Sequence, residues 1–251
     1  MTPTVKLDPA RTQLIYDWAA DRYLQSLPLE HFMESSEQST QRKITVESLD
    51  LVSQIRPEVQ VFSEMLIQYP IAGEDPDEPA RVVPDTMVIV WPTPLAPLKA
   101  FHIPNQKARP TLVMEYVSQS NRRKDYEDNY KKYERELKVP YYLVFDPEKQ
   151  DLTVFHLKRR KYVAIEANDA ARLAIPELEL EVAILDRWVR FWHRGKLLAL
   201  PGELLNQLNA KDDQLAASQE QLSASRDQLR MAETEINRLR NELTKAKGHE
   251  R

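Results

Sequence analysis

The sequence predicts a soluble α/β domain, a mixed sheet flanked by helices, followed by a C-terminal coiled-coil helix. Three observations predict it. β-rich apolar stretches at 111–118 and 140–146 bracket a helical stretch at 121–137, the pattern of a βαβ unit with two parallel, buried strands. Further short β-rich segments follow, broken by turn residues, as far as residue 192. Finally, Leu208, Leu215, Leu222, Leu229, Ile236 and Leu243 recur every seven residues. The boundary is placed at residue 200, giving domains 1–200 and 201–251.

Residues 12–27 read as a short amphipathic helix carrying Leu14, Ile15, Trp18 and Leu27. Ser36, Ser39 and Thr40 offer N-caps for a second helix over 40–55, whose Ile44, Leu49, Leu51, Val52 and Ile55 fit a helical period and which Pro57 ends. Strands are expected at 59–69, 82–91 and 111–118. The first two are separated by the acidic, proline-containing loop 70–81, the last two by the proline-rich connection 92–110. After helix 121–137 and strand 140–146, segments 151–157 and 161–167 read as a hairpin around the basic run Lys158 to Lys161, and 177–192 is a last β-rich stretch. No proline or glycine falls between 203 and 247. Ser218, Ser225, Ala232 and Leu239 add a smaller seam position, so this segment reads as about six heptads, extending roughly 65 Å.

Composition excludes several chemistries. The 251 residues contain no cysteine, which removes disulfides, zinc–thiolate sites and thiol nucleophiles and fits a reducing compartment. The four glycines are scattered, so neither a P-loop nor a G-x-G-x-x-G loop exists. The five histidines are far apart and form no H-E-x-x-H pair. Charged residues interrupt every apolar run near the N-terminus, and no uncharged stretch is long enough to span a membrane; the expected location is cytoplasmic. A net charge of −4 argues against a general nucleic-acid coat but not against an enzyme acting on nucleic acid.

Two carboxylates stand out. In 111–118, alternation places Val113, Glu115 and Val117 on one face and Leu112, Met114 and Tyr116 on the other, so Glu115 is an acid inside a core-like run. A buried carboxylate must be paired, protonated or bound to a cation. Asp85 follows Pro84 at the start of the preceding strand. If the strands are neighbours, both acids reach one hard cation, and magnesium favours one or two protein carboxylates. The alternative is a buried ion pair with Arg122 or Arg123, and spacing leaves both open. Glu64 in 59–69 is a third candidate ligand, or an exposed strand residue; Glu47 on helix 40–55 is a weaker one.

Three runs, VVPD (82–85), LVMEYVSQSNRRKDY (112–126) and KYERELKVPYYLVFDP (132–147), resemble those of a large bacterial family of restriction-endonuclease-like proteins, the Uma family; weaker similarity covers roughly 30–200. The resemblance implies the PD-(D/E)XK nuclease fold, a restriction-endonuclease-like mixed sheet flanked by helices. It implies that Asp85 and Glu115 bind a divalent metal, Mg²⁺ or Mn²⁺, which activates water and polarises phosphate. One departure matters. The lysine expected two residues after the second acid is Val117. Relatives often carry it on the next helix, four residues before a tyrosine that corresponds to Tyr133, and here that position is Asn129.

Helical geometry at ~100° per residue puts Tyr126, Tyr130, Tyr133 and Leu137 on the buried face, Asn129 and Arg122 beside it, and Lys124, Lys131 and Lys132 away from it. Arg122 and Arg123, close to the expected metal, are candidate phosphate contacts. Tyr141, Tyr142, Trp188, Phe191 and Trp192 read as packing residues. Two functions follow: a metal-dependent endonuclease acting on nucleic acid, with DNA favoured, homo-oligomeric through the coiled coil; or a catalytically silent nuclease fold kept as a binding and assembly module.

Overall fold

The computed structural model describes residues 8–27, 35–75, 77–96, 98–118 and 123–248. The chain divides into two compact units, Met1–Leu198 and Ala199–Arg251.

The first unit opens with α1 (Pro9–Ser26), capped by Asp8, whose carboxylate accepts from the Ala10 N–H. Helix α2 (Ser36–Ile55) starts earlier than the sequence suggested. Its N-cap is Ser35, which forms a reciprocal capping box with Gln38; Ser36, Ser39 and Thr40 lie inside the helix.

One expected strand is broken in two, and the next starts later than expected. Residues 59–69 become β1 (Val59–Ser63) and β2 (Ile67–Tyr69). The break falls at Glu64, whose φ of 49° is left-handed and incompatible with a continuing strand. The strand expected at 82–91 is β4 (Thr86–Val90), and β3 (Ala80–Val82) forms mostly from the end of the expected loop 70–81, with Pro84, which has no N–H to give a ladder, in the gap. Each of these two segments therefore serves two sheets. Residues 101–102 form β5 (Phe101–His102) within the proline-rich connection.

The main sheet adds β6 (Pro110–Tyr116), β7 (Tyr141–Asp146), β8 (Asp151–Lys158) and β9 (Lys161–Ala164), in the order β1-β4-β6-β7-β8-β9. Only β6 and β7 run parallel; the other neighbours are antiparallel. The β8–β9 hairpin turns through Arg159 and Arg160, both at positive φ, which matches the right-handed twist of the strands. Strands β3-β2-β5 make a small mixed sheet. The last β-rich region is a separate antiparallel sheet of β10 (Leu173–Ile175), β11 (Leu180–Leu185), β12 (Trp188–His193) and β13 (Lys196–Leu197).

The central strands β4, β6 and β7 are buried on both faces, and alternation along β6 sorts its side chains as expected. Leu112, Met114 and Tyr116 join a core with Leu49 and Val52 of α2 and with Leu180, Val182 and Phe191 of the four-stranded sheet. Val113 and Val117 join a second core with Met87, Ile89, Ile67, Phe101, Tyr142 and Tyr133. Glu115 belongs to the second face.

That face is covered by the helix connecting β6 to β7, described over 123–137. It winds with wide, π-type turns over Lys124–Asn129 and Lys132–Leu137 and ends at Lys138 with φ 53°. The wider turn corrects the expected helical face. Asp125, Asn129, Tyr133 and Glu134 are the buried residues, whereas Tyr126, Tyr130 and Leu137 are only partly buried at its flank. Glu134 pins the helix to β9 by accepting the Tyr162 N–H at 2.9 Å, and Tyr142 Oη donates to the Asp125 carbonyl at 2.8 Å.

The second unit contains α3 (Pro201–Gly248), 48 residues long and so about 72 Å. Leu208, Leu215, Leu222, Leu229 and Ile236 lie along it, all roughly half exposed. Among the described residues, no helix is long and apolar enough to cross a membrane.

Candidate functional site

Strand pairing brings the two key acids together. In the antiparallel β4–β6 pair, Thr86 is opposite Met114 and Met87 opposite Val113. One step further along this register come Asp85 and Glu115, on the face covered by the connecting helix. Asp85 is not itself a strand residue but the last one before β4. Its Oδ2 accepts the Tyr116 N–H at 2.6 Å, which fixes the carboxylate against the end of β6. Tyr116 is in turn tied to α2 by a hydrogen bond between its hydroxyl and that of Thr45.

Glu115 is 2% exposed. Its Oε1 accepts from Tyr133 Oη at 2.7 Å and from Asn129 Nδ2 at 2.9 Å. These are neutral donors, and of the alternative ion pair with Arg122 or Arg123 the Arg123 half does not form. Arg123 is solvent-exposed and pairs with Glu127 one turn along the helix, at 3.6 Å. Arg122 lies outside the described residues.

The same Asn129 amide also reaches Asp125 Oδ1, at 3.3 Å. Asp125, Asn129 and Tyr133 therefore form a buried ridge of the connecting helix, aimed at Glu115. Asp125 is not among the residues that the sequence singled out. Its spacing of four from Asn129 and eight from Tyr133 was visible, but a regular 3.6-residue period favoured the tyrosine face instead.

Among the described residues, electrostatics mark the cluster as short of positive charge. Burial, and then the neighbouring charges of Asp85 and Asp125, push the Glu115 carboxyl well above its usual range. Burial raises Asp85 to about 6, opposed by the Tyr116 N–H. Asp125 is raised to about 7, mainly by burial and also by Asp85. The cation felt by all three is Lys124, which lowers each of them. Lys124 is exposed, as its place off the buried helix face predicts, while its charge still acts on the cluster.

Glu64 stands apart from the ridge. Its side chain is half exposed and ion-paired with Arg42, and it meets Asp85 through the backbone, its N–H donating to the Asp85 carbonyl at 3.2 Å. The lysine positions of the nuclease motif are neutral here: Val117 is buried in the apolar core, and Asn129 is fully buried.

The cluster's fit to a divalent cation can be judged from its donors. Asp85 and Glu115 offer two carboxylates. Asn129 adds an orphaned atom: its Oδ1 is buried with no hydrogen-bond partner. Two acids and one carbonyl suit a hard cation that retains part of its water shell. Among the described residues, no group of three acids or histidines is close enough to hold an ion by itself. The residues present fit a water-rich Mg²⁺ or Mn²⁺ site, not a fully protein-enclosed one.

No curated protein matches the chain. Among solved structures, it is similar to the crystal structure of a protein from Anabaena variabilis ATCC 29413 titled a "putative nuclease belonging to DUF820". The two are 18% identical, with 62% of this chain and 82% of the other covered and a TM-score of 0.48. The model of the Uma2 family, described as "Putative restriction endonuclease", matches residues 33–186, more than half of the chain. That span runs from the start of α2 through β11 and holds Asp85, Glu115, Asp125, Asn129 and Tyr133, so the chain belongs to the Uma2 family.

Proposed function

We propose that the protein is a divalent-cation-dependent nuclease that hydrolyses phosphodiester bonds, with DNA as its substrate and Mg²⁺ or Mn²⁺ as its cofactor. The observation that carries this reading is the meeting of Asp85 and Glu115 on one face of the β4–β6 pair, in a cluster that is short of positive charge among the described residues. Family membership supports the same chemistry.

Asp85 and Glu115 would hold the ion, each kept in place by a hydrogen bond from a rigid element: the Tyr116 N–H for Asp85, and the Tyr133 hydroxyl with the Asn129 amide for Glu115. The ion would polarise the scissile phosphate and make a water more acidic. Lys124, exposed beside the cluster, supplies positive charge toward the phosphate; Arg122 and Arg123 are adjoining candidates for backbone contacts. Glu64 is assigned no direct role, because its carboxylate is engaged by Arg42. The heptad face of α3 would join copies of the chain, which suits cutting both strands of a duplex.

The test is cleavage of DNA by the purified full chain with Mg²⁺ or Mn²⁺, compared with Asp85→Ala. Metal-dependent cleavage lost in the variant supports the reading. Equal cleavage by both proteins, or none by either, counts against it.

A second reading is favoured by the neutral residues at 117 and 129: a silent nuclease fold that binds and assembles but does not cut. Asn129→Lys separates the two, since cleavage gained only in that variant would identify an intact but disarmed site.

A further inference from the structure

The Asn129 side chain has a fixed direction. Its Nδ2 donates to two acids at once, Glu115 Oε1 at 2.9 Å and Asp125 Oδ1 at 3.3 Å. Flipping the amide would press Oδ1 against both carboxylate oxygens and lose both bonds. The two acids therefore choose the rotamer, and they leave Oδ1 as the free end. That oxygen is fully buried and finds no partner among the described residues. A buried acceptor left unpaired costs roughly 1–3 kcal/mol, so such an atom is rarely left without a ligand. What it can receive is a cation or a hydrogen-bond donor; a phosphate oxygen, itself an acceptor, is repelled.

We propose that Asn129 Oδ1 is a neutral oxygen ligand of the cation site, facing the ion or its hydration shell, and that Asp125 is a positioning residue that holds it there. This rests on the proposed function, and it reverses the chemistry usual at this position. An ammonium would donate toward the substrate phosphate, whereas the Asn129 carbonyl accepts from the cation side. Asp125 gives the amide a second anchor, so that rotation about Cβ–Cγ cannot present the NH₂ group to the ion instead.

The experiment is Mn²⁺ binding to the full chain without nucleic acid, read by calorimetry and by loss of the free-ion EPR signal. Asn129→Leu keeps the volume and removes the oxygen; Asp125→Ala frees the amide. Each is expected to weaken Mn²⁺ binding roughly 10- to 100-fold, the range seen when orienting groups around a metal are removed. The loss in the double variant should fall clearly short of the sum of the two single losses, because Asp125 orients the Asn129 amide. A merely structural Asp125 would give additive losses, and that result overturns its positioning role. Should Asn129→Leu prove unstable, Asn129→Ala serves as the second variant: it also removes the oxygen and must weaken Mn²⁺ binding to a similar extent. Unchanged affinity in Asn129→Leu, with binding abolished in Asp85→Asn, overturns the inference but leaves the nuclease reading intact. No Mn²⁺ uptake by the wild type overturns both.

Discussion

Asp85 and Glu115 stand opposite each other one step beyond the Thr86–Met114 pair of the β4–β6 ladder, thirty positions apart in the chain. Nothing in the fold's packing requires this. Two acids meeting on a face otherwise occupied by Val113, Val117, Met87 and Tyr133 weaken the apolar layer that holds the connecting helix. The arrangement is costly without a cation, and that cost can be measured.

Neutralising one acid should stabilise the cation-free protein. Asp85→Asn keeps the shape and removes a charge whose burial is unfavourable. At pH 8 with EDTA it should gain about 1–3 kcal/mol, a rise of several degrees in thermal midpoint for a domain of this size. Most buried substitutions do the reverse. Added Mg²⁺ should raise the midpoint of the wild type and leave the variant unmoved. A variant less stable than the wild type in EDTA contradicts the idea that the pair is strained.

The pH dependence has a definite sign. Asp85 and Asp125 have folded values of about 6 and about 7, above the 3.8 usual for aspartate. Between pH 4 and those values the folded state binds more protons than the unfolded chain, so stability falls as pH rises. It is greatest near pH 4–5 and is lost through about 6–7. The lowered carboxyls of Glu58 and Glu179 titrate below this window and do not mask it. Urea unfolding in EDTA from pH 4.5 to 8.5 should show the decline, and saturating Mg²⁺ should flatten it. His102, lowered by burial, works against the decline in this window, so the comparison is made in Asp85→Asn as well: a profile with the same slope in wild type and variant would show that Asp85 is not perturbed as described.

Lys124 is the cation that relieves all three acids. Lys124→Met should push their proton affinities higher still and lower the cation-free midpoint at pH 8. If Lys124 also faces the phosphate, cleavage should fall by about tenfold or more. A drop in stability with cleavage unchanged would confine it to an electrostatic role within the protein.

Much of this was legible in the sequence, for a reason visible in β6. A strand buried on both faces alternates rigidly, so Glu115 had to share a face with Val113 and Val117. The VVPD run then located Asp85. The small sheet was not legible, because its strands β2 and β3 lie beyond the breaks at Glu64 and Pro84, and left-handed backbone at a glutamate leaves no mark in composition. Asp125 was hidden by the helix's winding. With a 3.6-residue period it falls beside the tyrosine face; with wider turns it stacks below Asn129 and Tyr133. Sequence periodicity assumes a regular helix and fails where π-type turns replace it.

The helix α3 poses the last test. Leu208, Leu215, Leu222 and Leu229 are 55–61% exposed on one strand of helix, and such a stripe is stable in water only against a matching surface. A second copy provides one in register, with Ser218, Ser225, Ala232 and Leu239 between the leucines. The wild type should therefore sediment as an oligomer at micromolar concentration, well above its chain mass of 29.3 kDa. Leu222→Glu with Leu229→Glu places like charges in the seam and should yield monomers, while tryptophan fluorescence shows Met1–Leu198 still folded. For a nuclease assembled in this way, the monomer should nick duplex DNA yet lose concerted cleavage of both strands. A wild type that sediments as a single chain at tens of micromolar would remove the zipper, and with it the proposed pairing of sites, but would leave the Asp85–Glu115 chemistry standing.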